Sequence, residues 1–224
     1  MLESIELRLA AHRVHGGFFR DPERDGHVTV VVIAGSGGGD ALSGALARAL
    51  AREGYAALGL GYFKVPGRPD ELRDIDLGYV VDGVRVARSL ATDPKSAVVL
   101  LGSSRGSEAA QLVAAHEPDL VQGVVALVPA NECFGSWPPG GAAWTIDAAA
   151  APLGPIPVER IKAPMFLVSA GSDEIWPSSA MAREIVARRL AHGRTTVHLD
   201  YPDATHALSF IAPTEEGTPA DASA

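Results

Sequence analysis

A glycine-flanked serine, in the pentapeptide Gly-Ser-Ser-Arg-Gly at residues 102–106, could supply an activated nucleophile. The apolar run 97–101 precedes it, and a stretch with the composition of a helix follows. A sharp turn between strand and helix would hold Ser104 in a strained conformation with its hydroxyl above the sheet, and the two glycines would let neighbouring backbone pass close by. The motif and its setting predict Ser104 as the nucleophile, although the pentapeptide taken alone could be a glycine-rich turn without chemistry.

An acid and a histidine that could complete a catalytic triad follow along the chain. Asp173 and His206 each come just after a predicted parallel strand, as Ser104 does, and the carboxyl ends of parallel strands line one edge of an α/β sheet. The order serine, acid, histidine is that of the α/β-hydrolase fold. We expect His206 to accept the serine proton and Asp173 to orient the imidazole, with Glu174 and Asp203 as the alternative acids.

Acyl transfer also needs hydrogen-bond donors for the negative charge that develops on the carbonyl oxygen. One donor is the backbone N–H of Arg105, directly after the nucleophile. The other should come from the loop after the first buried strand, from Ser36 or its neighbour Gly37. Residues 35–39 could instead cradle a phosphate, but they lack the Lys-Ser/Thr ending of a P-loop and the spacing of a dinucleotide motif. We expect no cofactor and no metal.

The segments around these residues alternate between strand and helix patterns. The predicted strands cover residues 3–10, 12–19, 28–33, 55–63, 97–101, 123–128, 165–168 and 195–201. Four helices are predicted: one begins after Asp40, its N-cap, one covers 74–91, one follows Ser104, and one covers 178–191. The last of them has Ile185, Val186 and Leu190 on its apolar face. The first two strands should pair antiparallel at a sheet edge. The alternation then predicts right-handed crossovers, a mostly parallel sheet of about eight strands, and one α/β domain over residues 1–224.

The substrate pocket is expected near a segment with little periodicity. Residues 134–157 are rich in glycine, proline and alanine and form the candidate lid. Four aromatic residues are the candidates for substrate contact, namely Phe134, Trp137, Trp144 and Trp176. Three cations could meet an anionic acyl carrier, although solvated side chains are the plainer interpretation of each: Lys64, Arg68 and Arg105.

Composition excludes several classes of function. The net charge of −8 over 224 residues and the scattered basic residues argue against a nucleic-acid surface. A single cysteine, Cys133, excludes an internal disulfide and a cysteine metal cluster, and it favours a buried free thiol. The first residues lack the pattern of a signal peptide, and no apolar run approaches the length of a membrane span. We expect a cytoplasmic protein without a membrane partner, and we leave open a homo-oligomer.

Six blocks in the same order resemble one known family. They are AGSGGG (34–39), LGYF (60–63), GSSRGSE (102–108), IPVER (156–160), GSDEIW (171–176) and YPDATH (201–206). Over residues 25–210 the chain is similar to the C-terminal catalytic domain of the acyl-CoA thioesterase and bile acid-CoA:amino acid N-acyltransferase family, α/β-hydrolases near dienelactone hydrolase. The resemblance implies Ser104 as nucleophile, Asp173 as acid and His206 as base, and acyl thioesters as substrates.

The resemblance also implies which acceptor takes the acyl group. In the family a cysteine nucleophile goes with transfer to an amine and a serine with hydrolysis, so Ser104 implies water as acceptor. Two departures are expected: no N-terminal β-sandwich, which longer members carry, and no closing C-terminal helix, because residues 212–224 have the composition of a flexible tail.

Four functions fit these features to different degrees. The first is a serine thioesterase that works through an acyl-enzyme. The second is a carboxylesterase or dienelactone-hydrolase-like lactonase, since a triad and an oxyanion hole serve oxygen and sulfur esters alike. Acyl transfer to an acceptor other than water is a third. The fourth, a non-catalytic binding protein on this scaffold, is disfavoured by an intact triad.

Overall fold

Thirteen strands and five α-helices position the site in this computed structural model, which describes residues 1–24 and 26–210. In chain order the strands are β1 (Glu3–Leu7), β2 (His15–Arg20), β3 (Val28–Ile33), β4 (Ala56–Gly61), β5 (Ile75–Asp76), β6 (Ala97–Ser103), β7 (Gly123–Leu127), β8 (Glu132–Cys133), β9 (Trp144–Ile146), β10 (Ala149–Ala150), β11 (Gly154–Pro155), β12 (Met165–Ala170) and β13 (Thr196–Tyr201). The α-helices are α1 (Leu9–His12), α2 (Ala41–Arg52), α3 (Gly78–Leu90), α4 (Arg105–His116) and α5 (Ser178–Ala191), and 3-10 turns cover Val158–Arg160 and His206–Phe210.

Eight strands form the main sheet in the order β1-β2-β4-β3-β6-β7-β12-β13. The first three of these strands pair antiparallel, and every neighbouring pair from β4–β3 to β12–β13 is parallel. This confirms the predicted antiparallel opening and the mostly parallel sheet of about eight strands. The β-branched run of β3 lies in the middle of the sheet, where both faces are covered.

Alternate residues of β3 feed two hydrophobic cores. Val31 and Ile33 belong to the larger core, which includes the buried faces of α3 and α4, while Val30 and Val32 pack with Leu46 and its neighbours on α2. Successive strand residues point to opposite faces of a sheet, so a continuous apolar run serves both cores. The sheet is held between these layers, and its strand ends carry the site.

Local contacts shift the bounds predicted for the opening strands and for the helix over 74–91. The opening strands are shorter than predicted because residues 9–12 turn into α1 between β1 and β2. The helix predicted over 74–91 begins at Gly78, since residues 75–76 pair with β9 as a parallel strand. Asp40 is the N-cap residue of α2, as predicted, but its carboxylate lies 3.1 Å from His15 Nε2 and makes no cap hydrogen bond to the helix.

The candidate lid is packed over much of its length. Ala143, Trp144, Ala151 and Ile156 are all buried in the larger core, and β9 pairs with both β5 and β10. Only the amino-terminal part of the predicted 134–157 segment therefore remains a candidate lid. The predicted tail at 212–224 and the expected loss of a closing helix lie outside the described residues.

Helix α5 has the predicted bounds, and of its predicted apolar face Ile185 is buried and Val186 is partly buried, but Leu190 is not. Leu190, expected on the apolar face, is 72% exposed, whereas Arg189 is wholly buried. Its guanidinium donates to five neutral oxygens from the segments on either side of β12 and at the start of β13. Burial lowers the Arg189 pKa to about 10. A buried cation thus ties α5 to the sheet where an apolar contact was expected.

Candidate active site

The turn that carries Ser104 has the geometry of a nucleophile elbow. Ser104 lies between β6 and α4 with φ +53° and ψ −123°, a conformation that L-residues rarely adopt. A Cβ on Gly102 would lie 2.3 Å from the carbonyl oxygen of Gly106, and one on Gly106 would lie 2.1 Å from that of Ile33. Both glycines of the pentapeptide are therefore needed for the backbone to pass this closely.

The structure brings the three predicted triad residues together. The Nε2 atom of His206 lies 2.9 Å from Ser104 Oγ, and its Nδ1 lies 2.9 and 3.0 Å from the two carboxylate oxygens of Asp173. Because an ionised carboxylate can only accept, Nδ1–H donates to Asp173 and leaves Nε2 free to accept the Ser104 hydroxyl. The imidazole is oriented as a base for the serine.

The two rival acids have other positions. Glu174 accepts the backbone N–H of His206 at 3.1 Å instead of facing its ring. Asp203 is exposed in the turn after β13. Asp173 is nearly inaccessible and also accepts the backbone N–H groups of Ile175 and Trp176, at 3.0 and 3.2 Å. These bonds fix the carboxylate, so geometry favours Asp173 over both alternatives.

Candidate oxyanion donors lie on two sides of Ser104. Arg105 is the first residue of α4, and the first N–H groups of a helix have no partner within the helix. Ser36 lines the same cavity as Ser104, whereas Gly37 does not line it. The Tyr62 hydroxyl lies 2.9 and 3.1 Å from the carbonyl oxygens of residues 34 and 35, which holds this loop against the elbow.

A largely apolar cavity of about 800 Å³ opens beside the triad. Three of the four aromatic candidates line it, namely Phe134, Trp137 and Trp176. Phe134 and Trp176 stack with their ring centroids 5.6 Å apart, and the Trp176 ring meets His206 edge-on at 5.2 Å. Trp137 is 61% exposed at the rim. The aromatic walls therefore adjoin the base directly.

Trp144 does not line the cavity. Its side chain is wholly buried, and its indole Nε1–H donates to Glu108 Oε2 at 3.0 Å. It also packs against Tyr62, with the ring centroids 5.7 Å apart. The expectation of substrate contact at Trp144 is therefore corrected: this residue is part of the core behind the cavity.

The three candidate cations are engaged within the protein. Arg105 donates from Nη2 to two backbone carbonyls of the cavity wall, and its Nε lies 2.8 Å from Glu108 Oε1. The Arg68 guanidinium lies 3.9 Å above the Tyr79 ring. The Lys64 ammonium lies 3.4 Å from the carbonyl oxygen of residue 37. Of the three, only Arg105 lines the cavity beside Ser104, and the Lys64 side chain is exposed.

Sequence reasoning missed Glu108. It is wholly buried on α4, and its Oε2 accepts the Phe134 backbone N–H at 3.1 Å as well as the Trp144 indole N–H. Burial raises the Glu108 pKa to about 7, against the opposing effect of the Arg105 guanidinium. One signal could have found it: Glu108 is the one charged residue in the helix segment 107–115.

The single cysteine, Cys133, is not an alternative nucleophile. Burial raises the Cys133 pKa to about 12, so this thiol is neutral and a poor nucleophile. Among residues 1–24 and 26–210, no group of three histidine, cysteine or acidic side chains is placed to hold a metal ion. No helix in the same part of the chain is long and apolar enough to cross a membrane.

The sequence is similar to those of acyl-coenzyme A thioesterases. The family model described as BAAT / Acyl-CoA thioester hydrolase C terminal matches residues 146–214, which include Asp173 and His206. Human acyl-coenzyme A thioesterase 1 is 28% identical, over 88% of this chain and 52% of that protein. Human acyl-coenzyme A thioesterase 2, mitochondrial, is 28% identical, over 87% of this chain and 45% of that protein. The chain thus spans about half the length of these relatives.

Solved structures share the fold at lower identity. A putative dienelactone hydrolase from Klebsiella pneumoniae has a TM-score of 0.68 at 18% identity, with 97% of this chain and 93% of that chain covered. Esterase B from Lactobacillus rhamnosis has a TM-score of 0.61 at 16% identity, with 92% and 78% covered. The chain has the α/β-hydrolase fold, and it resembles the family described as BAAT / Acyl-CoA thioester hydrolase C terminal.

Proposed function

We propose that the chain hydrolyses acyl thioesters through a covalent acyl-enzyme, with Ser104 as nucleophile, His206 as base and Asp173 as its orienting acid. The observation that carries the proposal is the continuous path from Asp173 through the His206 ring to Ser104 Oγ, in contacts of 2.9 to 3.0 Å, at the mouth of the aromatic cavity. Nucleophile, base and orienting group are each within hydrogen-bond reach of the next, as acyl transfer requires.

The first half-reaction follows from these contacts. Ser104 Oγ attacks the thioester carbonyl while His206 Nε2 takes the hydroxyl proton, and Asp173 stabilises the imidazolium that forms. The backbone N–H groups of Arg105 and of Ser36 or Gly37 bind the oxyanion. Collapse of the tetrahedral intermediate breaks the carbon–sulfur bond, and the His206 proton goes to the departing sulfur. The acyl group is then an ester of Ser104.

Water completes the cycle with the same groups in the same roles. His206 Nε2 removes a proton from a water molecule as its oxygen attacks the Ser104 ester, and the protonated ring returns the proton to Ser104 Oγ. The products are a free thiol and a carboxylic acid. The apolar cavity beside Ser104 suits the acyl chain, and the names of the relatives, acyl-coenzyme A thioesterases, favour a thioester carrier over an alcohol.

A labelling experiment tests the nucleophile. Purified protein should react with a fluorophosphonate probe, and Ser104→Ala should abolish the labelling while leaving the far-UV circular dichroism unchanged. His206→Ala keeps the hydroxyl but removes its base, so its labelling rate should fall by about 10³-fold or more. Undiminished labelling of Ser104→Ala would refute the assignment.

Turnover then separates the candidate substrates. Initial rates with acyl-CoA and with p-nitrophenyl esters of the same acyl groups should favour the thioester in kcat/KM. A preference for the oxygen ester, or turnover of a lactone alone, would support the carboxylesterase or lactonase alternative. Product partitioning in the presence of glycine or taurine tests transfer to an amine, and formation of the free acid alone supports water as the acceptor.

A further inference from the structure

The side chains of a buried ion pair lie in the first turn of α4, directly after the nucleophile, and have no part in the proposed chemical steps. Arg105 and Glu108 are three residues apart on α4, with Nε and Oε1 2.8 Å apart. The Glu108 side chain is wholly buried, and that of Arg105 is 11% exposed. Replacing a buried ion pair by apolar residues often costs no stability. Stability alone therefore does not explain this pair, and its other hydrogen bonds suggest a role.

Both members hold the same stretch of chain. Glu108 accepts the backbone N–H of Phe134, and Arg105 donates to the carbonyl oxygens of Phe134 and Gly135 at 3.1 and 2.8 Å. The second acceptor contact of Glu108, to the Trp144 indole, fixes the far end of the same segment. Both backbone polar groups of Phe134 are thus fixed by charged side chains of the helix that carries the nucleophile.

This stretch is one wall of the cavity. Residues 134–137 and 139–141 line it, and the Phe134 ring stacks on Trp176, which in turn contacts the His206 ring. The wall is rich in glycine and proline and lacks the regular hydrogen bonding of a helix or a long strand. Charged hydrogen bonds to its backbone are directional, so they fix the position of the wall in a way that apolar packing would not.

We propose that the Arg105–Glu108 pair positions the 134–141 wall and thereby sets the acyl-chain selectivity of the site. Both are positioning residues in this respect, because their side chains act through Phe134 and its neighbours. The inference rests on the proposed function, since it assumes that the acyl chain lies along this wall. Loss of the pair would let the wall move and would affect long acyl chains, which contact it, more than short ones.

The same geometry predicts a pH effect on selectivity. The groups that face Glu108 are the Arg105 guanidinium, the Trp144 indole, the Cys133 thiol and the Tyr62 hydroxyl. Burial raises the pKa of both Cys133 and Tyr62, so neither ionises near neutrality. With its own pKa raised to about 7, Glu108 is the member of this group that changes charge there. Protonation below pH 7 would weaken its hold on the wall.

The test uses two alkyl fluorophosphonates, one with an ethyl and one with a decyl chain, and compares their second-order labelling rates. The ratio of the long-chain to the short-chain rate does not depend on the fraction of active protein, and any effect on the His206 base cancels because both probes need it. Glu108→Gln should lower the ratio at least about tenfold while the short-chain rate stays within about threefold. The wild-type ratio should fall as the pH drops through 7, and that of Glu108→Gln should be flat.

Two further variants separate positioning from a general loss of stability. Trp144→Phe removes one hydrogen-bond donor to Glu108 and keeps an aromatic ring at this position, so it should also lower the ratio. It replaces Glu108→Gln as the test variant if that protein does not fold. Gln111→Met is the matched control, since this buried α4 side chain donates to the carbonyl oxygens of Ser107 and Ala130, away from the wall. It should lower the melting temperature without changing the ratio.

The outcomes are distinct. A ratio in Glu108→Gln and Trp144→Phe within twofold of wild type would overturn the positioning role, as would an equal fall in Gln111→Met. Wild-type protein that neither probe labels would refute the proposed function itself, which is a different result from labelling without chain-length selectivity in the variants.

Discussion

Two clusters of one serine, one histidine and one aspartate lie in this fold, and they are connected differently. In the first, the His206 ring bridges Ser104 and Asp173. In the second, the serine is the bridge: Ser169 Oγ lies 2.7 Å from His198 Nε2 and donates to Asp200 Oδ1 at 2.8 Å. In the first cluster the histidine ring therefore faces the serine hydroxyl, whereas in the second the serine hydroxyl is bound by the carboxylate.

The order of bonding decides what each cluster can do. Since Ser169 donates its proton to Asp200, the His198 Nε2–H must donate to Ser169 Oγ and cannot act as a base toward it. Asp200 accepts a further short hydrogen bond from Ser179, and Arg183 lies 3.5 Å away. These hydrogen bonds join β12, β13 and α5, so the second cluster is a structural link between them.

Location separates the clusters as clearly as connectivity. Ser104 is held at φ +53° in a turn beyond the end of β6, beside the cavity. Ser169 is a regular residue of β12, wholly buried, and none of the residues of its cluster lines the cavity. A serine becomes a candidate nucleophile where the backbone leaves a strand under strain at a cleft, and a structural residue where the strand continues.

The largest expected difference between the clusters is at the serines. Ser104→Ala should lower kcat/KM for an acyl thioester by at least about 10⁴-fold, because no nucleophile remains. Ser169→Ala should leave kcat/KM within about threefold of wild type, since its hydroxyl faces only Asp200, His198 and Ser179. Initial rates normalised to folded protein provide the measurement. A comparable loss in both variants would remove the distinction drawn here.

The aspartates should differ by a smaller factor. Asp173→Asn keeps the shape but places an amide donor against Nδ1, which favours the wrong His206 tautomer, so kcat should fall by about 10³–10⁴-fold. Asp200→Asn is the matched control in the second cluster and should change kcat by less than about threefold. Its effect should appear instead in the free energy of unfolding obtained from urea titration, lowered by about 1–3 kcal/mol for the charged hydrogen bonds that it loses. Equal catalytic losses would show that Asp200 supports the triad.

The three proposed triad residues could be predicted from the sequence because the ends of the predicted strands can be recognised in it. The strands that end before Ser104, Asp173 and His206 are followed by three loops at one edge of the sheet, and the parallel sheet brings these loops together. The same reasoning favoured His206 over His198, which lies within a strand. Their catalytic roles stay a proposal until the variants are measured, as does the cytoplasmic location.

Long-range partners explain where sequence reasoning failed. Trp144 looked like a pocket residue because a segment rich in glycine and proline has no periodicity to show which way an aromatic points; its partner Glu108 lies 36 residues earlier. On α5, Leu190 and Arg189 differ by one step around the helix. Only the carbonyls of distant segments show that the arginine is the buried one.

The smallest effect that distinguishes the clusters is on stability against pH. Burial lowers the pKa of His198, and the hydrogen bond from Ser179 is the main cause that lowers the pKa of Asp200. A lowered folded-state pKa means that the unfolded chain binds the proton first as the pH falls. Each group therefore contributes stability above its unfolded pKa, about 6.5 and about 4, and the contribution is lost as the pH falls through the folded value.

Urea unfolding followed by tryptophan fluorescence should show this in two steps. The wild-type midpoint should decline below pH 6.5 as His198 is protonated, and again below pH 4 as Asp200 is. In Asp200→Asn the lower step should shrink. The His198 step should grow, because the Asp200 carboxylate raises the His198 pKa and its removal lets burial lower that pKa further. If the wild-type and variant profiles were parallel across pH 3 to 7, protonation of the second cluster would not change the stability of the fold. The difference between the two clusters would then rest on their hydrogen-bond connectivity alone.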